Sequence, residues 1–195
     1  MKKLELADVK NIYEYGKVRD EMRRRVIALK QRRRVPVGEH LSLVFENRET
    51  VLFQIQEMCR AERIVDDAKV QDEVDVYNEL IPGEHELSAT LMIEIEEAPA
   101  IKPVLDRLMG IDSGEHVWIQ AGKEYAIPAQ FEEGRSDEAR GKISAVHFVR
   151  FRFPPEAVKA FEEQDAYLVV DHPGEQARTR ISEEVKASLL EDLRS

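Results

Sequence analysis

The sequence predicts an α+β fold, a single domain with a mainly antiparallel sheet and helices covering one face, and three observations predict it. Runs of strand-like alternation and helix-like spacing succeed one another with short connections. The alternating runs are bounded by turn residues, the pattern of hairpin-connected strands. A long amphipathic helix opens the chain, and neither an internal repeat nor a dividing linker parts it from the rest, so residues 1–195 read as one domain.

In the opening helix, Leu6, Val9, Ile12, Tyr13, Met22, Val26 and Leu29 recur mostly at three- and four-residue steps, predicting one helix from about Ala7 to Arg33. Gly16 weakens it by about 1 kcal/mol relative to alanine, and Val35-Pro36 ends it. The stretch from Val35 to Arg63 then organises the middle of the chain. Leu41, Leu43 and Phe45 alternate with His40, Ser42, Val44 and Glu46, the period of a half-buried strand. Asn47 reads as a helix N-cap. Val51, Leu52, Ile55, Met58 and Cys59 fall on one helical stripe, which predicts Leu52, Ile55 and Met58 in the main core.

Asp66 or Asp67 caps a further helix with Val70, Val74, Tyr77 and Ile81 on its apolar side, stopped by Pro82-Gly83. Leu87, Ala89, Leu91, Ile93 and Ile95 alternate with polar positions that end in Glu94 and Glu96, predicting a strand with one core face and one wet face. Ile101, Val104, Leu105 and Leu108 make a short helix with Pro103 in its first turn and Gly110 as its stop. Val117 to Ala121 and Tyr125 to Phe131 read as a hairpin around Gly122-Lys123, and Pro128 places the second strand at an edge or a bulge. Residues 133–142, EGRSDEARGK, are polar and lack period, predicting an exposed loop. Ile143 to Phe153 alternates as a strand with His147 in the middle of its apolar face. Pro155, Val158 and Phe161 mark a short helix, and Tyr167 to Val170 is a strand ending at Asp171-His172-Pro173-Gly174. Ser182 caps a last helix through Val185, Leu189 and Leu193.

With 43% hydrophobic and 35% charged residues the chain has the balance of a soluble globular protein, and no apolar run approaches the roughly 20 residues that cross a bilayer. Its first residues carry Glu5 and Asp8 where an export signal needs an apolar core, so a cytoplasmic location is expected. The one cysteine, Cys59, lies on a helix's apolar stripe and reads as packing. The net charge of −10 is unevenly spread: from Lys17 to Arg34 nine basic residues face Asp20 and Glu21, making that segment +7 and the remainder −17. Arg23, Arg24, Arg25, Arg32, Arg33 and Arg34 are therefore candidates for binding a protein partner or an anionic ligand. The acidic remainder argues against generic nucleic-acid binding, which runs on phosphate neutralisation. The same cations also suit the negative end of their helix without any partner.

No Gly-x-Ser-x-Gly elbow, glycine-rich phosphate loop or paired metal-ligand motif occurs. Among the histidines, His147 with carboxylates at Glu46 and Glu57 is the candidate metal set, a donor chemistry that suits iron, manganese or zinc. The runs VFENRETVLFQIQEMCRAERI, YNELIPGEHELSATLMIEI and VHFVRF, with DHP after them, resemble a family of bacterial proteins catalogued only as a domain of unknown function, over nearly the whole chain. Members of that family tend to be encoded beside rubrerythrin-like and iron–sulfur proteins, so the resemblance implies a redox or metal setting and transfers no catalytic residue. Two function classes follow. The first is an accessory or binding protein with a polarised surface; the second is a metal-dependent enzyme of redox or stress metabolism built on His147 and nearby carboxylates.

Overall fold

The computed structural model describes residues 1–113, 115–132, 134, 136, 137 and 142–195. After a 3-10 turn at Leu6–Asp8, the chain forms α1 (Ile12–Gln31), β1 (Arg34–Val37), β2 (Leu41–Glu46), α2 (Arg48–Glu62), α3 (Asp67–Asn78) and β3 (Glu86–Ile93). It continues through α4 (Ile101–Arg107), β4 (Val117–Ala121), β5 (Tyr125–Pro128), β6 (Gln130–Phe131), β7 (Ser136–Asp137) and β8 (Lys142–Ile143). It closes with β9 (Val146–Arg152), α5 (Pro155–Glu163), β10 (Ala166–His172), β11 (Glu175–Arg180) and α6 (Glu183–Leu193).

This is an α+β fold with two antiparallel sheets, one ordered β1-β2-β3-β9-β6 and the other β11-β10-β4-β5, plus the short β7-β8 ladder. Most of the stretch expected to be an exposed loop, residues 133–142, lies outside the described residues. The sheets face each other across the main core, into which Leu41, Leu43, Phe45, Leu87, Ala89, Leu91, Val149 and Phe151 project from one side. Val117, Ile119, Ile127, Leu168 and Val170 meet them from the other. Helices α4, α5 and α6 add Leu108, Phe161 and Leu189 to the same core. The chain passes from one sheet to the other at Pro128-Ala129. Pro128 has no N–H to donate and sits on the edge strand β5, opposite Trp118.

Helices α1, α2 and α3 lie on the opposite, outer face of the five-stranded sheet. Asn47 caps α2 by accepting from the N–H groups of Glu49 and Thr50, and Asp66 caps α3 through Ala68 and Lys69. Helix α2 buries Val51, Ile55 and Cys59, one residue per turn, against Val70, Val74, Leu80 and Ile81. Leu52 and Met58, expected in the main core, are half-buried at the margins of that stripe. Helix α1 faces inward through Tyr15, Met22 and Val26, whereas Tyr13 is 85% exposed. The expected stripe chose the wrong tyrosine, because residues two apart on a helix point in nearly opposite directions.

The wet face expected beside β3 holds at its end, where Glu94 and Glu96 are exposed, but not in the middle of the sheet, and β2 is more than half-buried. All six residues of β2 are buried, with Ser42 and Glu46 on the side away from the sheet-to-sheet core, and Ser88 of β3 joins them there. The helices cover a polar surface. Two further strands, β1 and β11, were not anticipated: RVPV carries a proline and EQARTR has no apolar alternation.

Ile55 is fully buried between α2 and α3. Ile55→Ala is expected to lower the unfolding free energy in urea by about 2 to 5 kcal/mol, the range for truncating a packed aliphatic residue.

Candidate functional site

The outer face of the five-stranded sheet carries a cleft of about 590 Å³. Cross-strand registry explains its floor: Arg34 pairs with Val44, Val44 with Thr90 and Thr90 with Phe148, so one row crosses β1, β2, β3 and β9. Met92 and Val146 form the neighbouring row. The walls are Ile27, Lys30 and Gln31 of α1 and Phe53, Gln54 and Glu57 of α2. Alternation puts the polar members Glu46 and Thr90 on this face because their neighbours Phe45, Ala89 and Leu91 are claimed by the main core.

Glu46 is the unusual member. It is 2% exposed; its Oε1 accepts from the Thr90 hydroxyl at 2.9 Å, with Lys30 Nζ at 3.6 Å. Among the described residues no donor reaches its buried Oε2. A buried carboxylate oxygen without a donor forgoes about 1 to 3 kcal/mol, so the cleft contains an unmet demand for a hydrogen bond.

Glu57, at the other side of the cleft, is fully engaged. Arg19 grips both its oxygens at 2.8 Å, and the buried Tyr15 hydroxyl donates to Oε1 at 2.6 Å. The Arg19 hydrogen bond, reinforced by Tyr15, pulls the Glu57 carboxyl down to about 2, while burial and the Glu57 contact push the Tyr15 phenol up. This cluster clasps α1 to α2.

His147 lies on the opposite face of the sheet from Glu46. Its ring is buried in the main core, Nε2 donates to the Ser144 carbonyl at 2.8 Å, Nδ1 stands 3.7 Å from Asp112, and Phe131 packs edge-on. The expected metal set is thus divided: Glu46 and Glu57 share the cleft, and a layer of sheet separates them from His147. Among the described residues no group of three or more His, Cys, Asp and Glu side chains is arranged to hold a metal.

The six arginines are dispersed as well. Arg33, expected on the surface, is 1% exposed and ion-paired with the buried Asp192 of α6. Its other donors reach the carbonyls of Phe45 at 2.9 Å and Glu46 at 3.2 Å and the Ser188 hydroxyl at 2.9 Å. Arg25 pairs with Glu49 and Arg34 with Glu94. Arg23, Arg24 and Arg32 are exposed.

A second histidine was missed as a structural element. His172 ends β10, 5% exposed; Nε2 donates to the Met109 carbonyl and Nδ1 accepts from the Gly174 N–H, both at 3.0 Å. A side chain on Gly174 would collide with the Arg107 carbonyl, so glycine alone lets this turn dock beside the end of α4. The DHPG turn in the sequence carried that signal.

Comparison with known proteins agrees with this architecture. The family described as "Protein of unknown function (DUF3501)" matches residues 3–193. The chain belongs to the DUF3501 family. A crystal structure described as a novel protein of unknown function from Burkholderia pseudomallei K96243 is similar to this family member, with 35% identity and a TM-score of 0.90. The match covers 98% of this chain and 100% of that one. No curated protein matches the chain. Among the described residues of this DUF3501 protein, no helix is long and apolar enough to cross a membrane.

Two outcomes follow from the buried polar groups. Arg33→Ala is expected to cost about 3 to 5 kcal/mol in urea melts, because it strands Asp192 in the interior, whereas Arg24→Ala should change stability by less than about 0.5 kcal/mol. Burial holds the His172 imidazole below its ordinary value of 6.5, so the folded state resists protonation and the unfolded state does not. His172 therefore contributes stability above that value that is lost as pH falls from it toward the lower folded value. The loss of urea midpoint between pH 7.5 and 5.5 should be smaller in His172→Gln than in the parent protein.

Proposed function

We propose that this protein is an accessory binding protein whose outer cleft holds a small, mainly apolar molecule. The observation that carries the reading is Glu46: a carboxylate 2% exposed, with one oxygen lacking a donor among the described residues, in a cleft whose surface is mostly apolar, through Ile27, Val44, Phe53, Met92 and Phe148 among others. Binding sites for small molecules have this composition, a concave apolar wall with a few placed polar groups, and volumes of about 300 to 1,000 Å³. Arg23 and Arg24 support a second contact. They lie one turn before Ile27 on the cleft-facing side of α1 and are exposed, which suits an acidic protein partner that reads the occupied cleft. The reading places the protein in the cytoplasm, where the unpaired thiol of Cys59 is at home.

Methyl NMR of the methionines tests the cleft directly, since Met92 lines it and Met22 and Met109 do not. Titration of the full chain with toluene is expected to shift the Met92 signal saturably and leave Met22 and Met109 in place. A Met92 signal that stays fixed up to the solubility limit of toluene would overturn the reading.

A further inference from the structure

We infer that the molecule taken by this cleft is a neutral, planar aromatic carrying one hydrogen-bond donor, an indole N–H or a phenol O–H, delivered to Glu46; the inference rests on the cleft being a binding site. Charge decides the first property. Every ionised group lining the cleft already faces an opposite charge: Glu57 faces Arg19 at 2.8 Å, Arg34 faces Glu94, and Glu46 faces Lys30 at 3.6 Å. A charged ligand entering this cleft would be desolvated without a free counter-charge, which is costly in an apolar setting. A neutral one meets no such penalty.

The hydrogen-bond inventory decides the second. Lys30 balances the charge of Glu46 from beyond hydrogen-bonding distance, and Thr90 satisfies only Oε1. What Oε2 lacks is a single donor. A carboxylate accepts and never donates, so a ligand that offers only a carbonyl or ether oxygen there would be repelled. The Lys30 side chain, a flexible stem beside Glu46 and one-third exposed, is the part of the wall that can yield to an incoming group; the sheet floor cannot. The walls decide the third property. Phe53 supplies an aromatic ring and Met92 a polarizable thioether, partners that reward a flat π-system beyond its buried area.

The test compares indole with indene, which has the same shape and no N–H donor, and with tryptamine, which adds a cation. Affinities are read from the Met92 methyl signal of the full chain. Indole is expected to bind at least about tenfold more tightly than indene, the scale of one satisfied buried acceptor, and more tightly than tryptamine. In Glu46→Gln the amide that replaces Oε2 is a donor, so the preference for indole over indene should vanish. If Glu46→Gln does not fold by circular dichroism, the comparison in the parent protein decides alone. Equal affinity for indole and indene overturns the donor assignment while leaving an apolar cleft; tighter binding of tryptamine overturns neutrality. No response at Met92 to toluene or to any of the three removes the binding reading itself.

Discussion

A single buried guanidinium holds three distant parts of the chain together. Arg33 follows α1, reaches the last two carbonyls of β2, and meets Ser188 and Asp192 on α6. A charge with this little exposure persists only when its donors have acceptors, because an uncompensated ion in the interior costs several kcal/mol. That requirement fixes where α1 must end relative to the sheet. It also fixes the backbone of Glu46, whose carbonyl Arg33 holds while its carboxylate floors the cleft on the outer face. The position of the candidate site is thereby tied to the packing of α6, an element that contributes nothing to its lining.

The five-stranded sheet acts as a partition between two different interiors. On the inner side nearly every contact is apolar and the core is shared with the second sheet. On the outer side the sheet presents Ser42, Glu46, Glu86, Ser88 and Thr90, and most of these are buried beneath or beside helices. Several of these demands are met locally: Ser42 donates to Glu94 at 2.7 Å, Thr90 to Glu46, and Glu86 takes Arg150 at 3.2 Å and Arg152 at 3.1 Å. Against that background of satisfied groups, the vacant Oε2 of Glu46 is an exception, and buried polar groups without partners are rare enough to require a reason. The partition also explains why His147 and Glu46 do not cooperate. Strand alternation sends them to opposite interiors, so no shift of a side chain could bring them together.

Much of this was legible in the sequence where the signal is local. The caps depend on a side chain reaching its own helix: Asn47 and Ser182 stand where the sequence placed them, and of the pair Asp66 and Asp67 it is Asp66 that caps. The hairpin of β4 and β5 was readable from the alternation on either side of Gly122-Lys123, with Pro128 marking the edge strand. The hidden features are those decided by distant partners. Tyr13 and Tyr15 differ little as residues, and only the meeting with Glu57 selects Tyr15. Strand β11 exists because β10 offers it a ladder, not because EQARTR prefers extension. Alternation told which residues of β2 share a face with Glu46, but a polar face covered by helices reads the same as one covered by water.

The charge pattern shows the same limit in energetic terms. Counted by segment, Lys17 to Arg34 is strongly positive and the rest strongly negative, which suggests a polarised molecule. In the fold the two populations interleave. Lys17 meets Glu14, Arg19 meets Glu57, Arg25 meets Glu49, Lys30 meets Glu46, Arg33 meets Asp192 and Arg34 meets Glu94. Each close pair is nearly neutral when seen from more than a Debye length of about 8 Å at physiological salt. The positive potential that a partner could feel therefore comes chiefly from Arg23, Arg24 and Arg32, a patch far smaller than the segment's formal charge. Any recognition by this helix must act at contact range, where shape and hydrogen bonding outweigh steering.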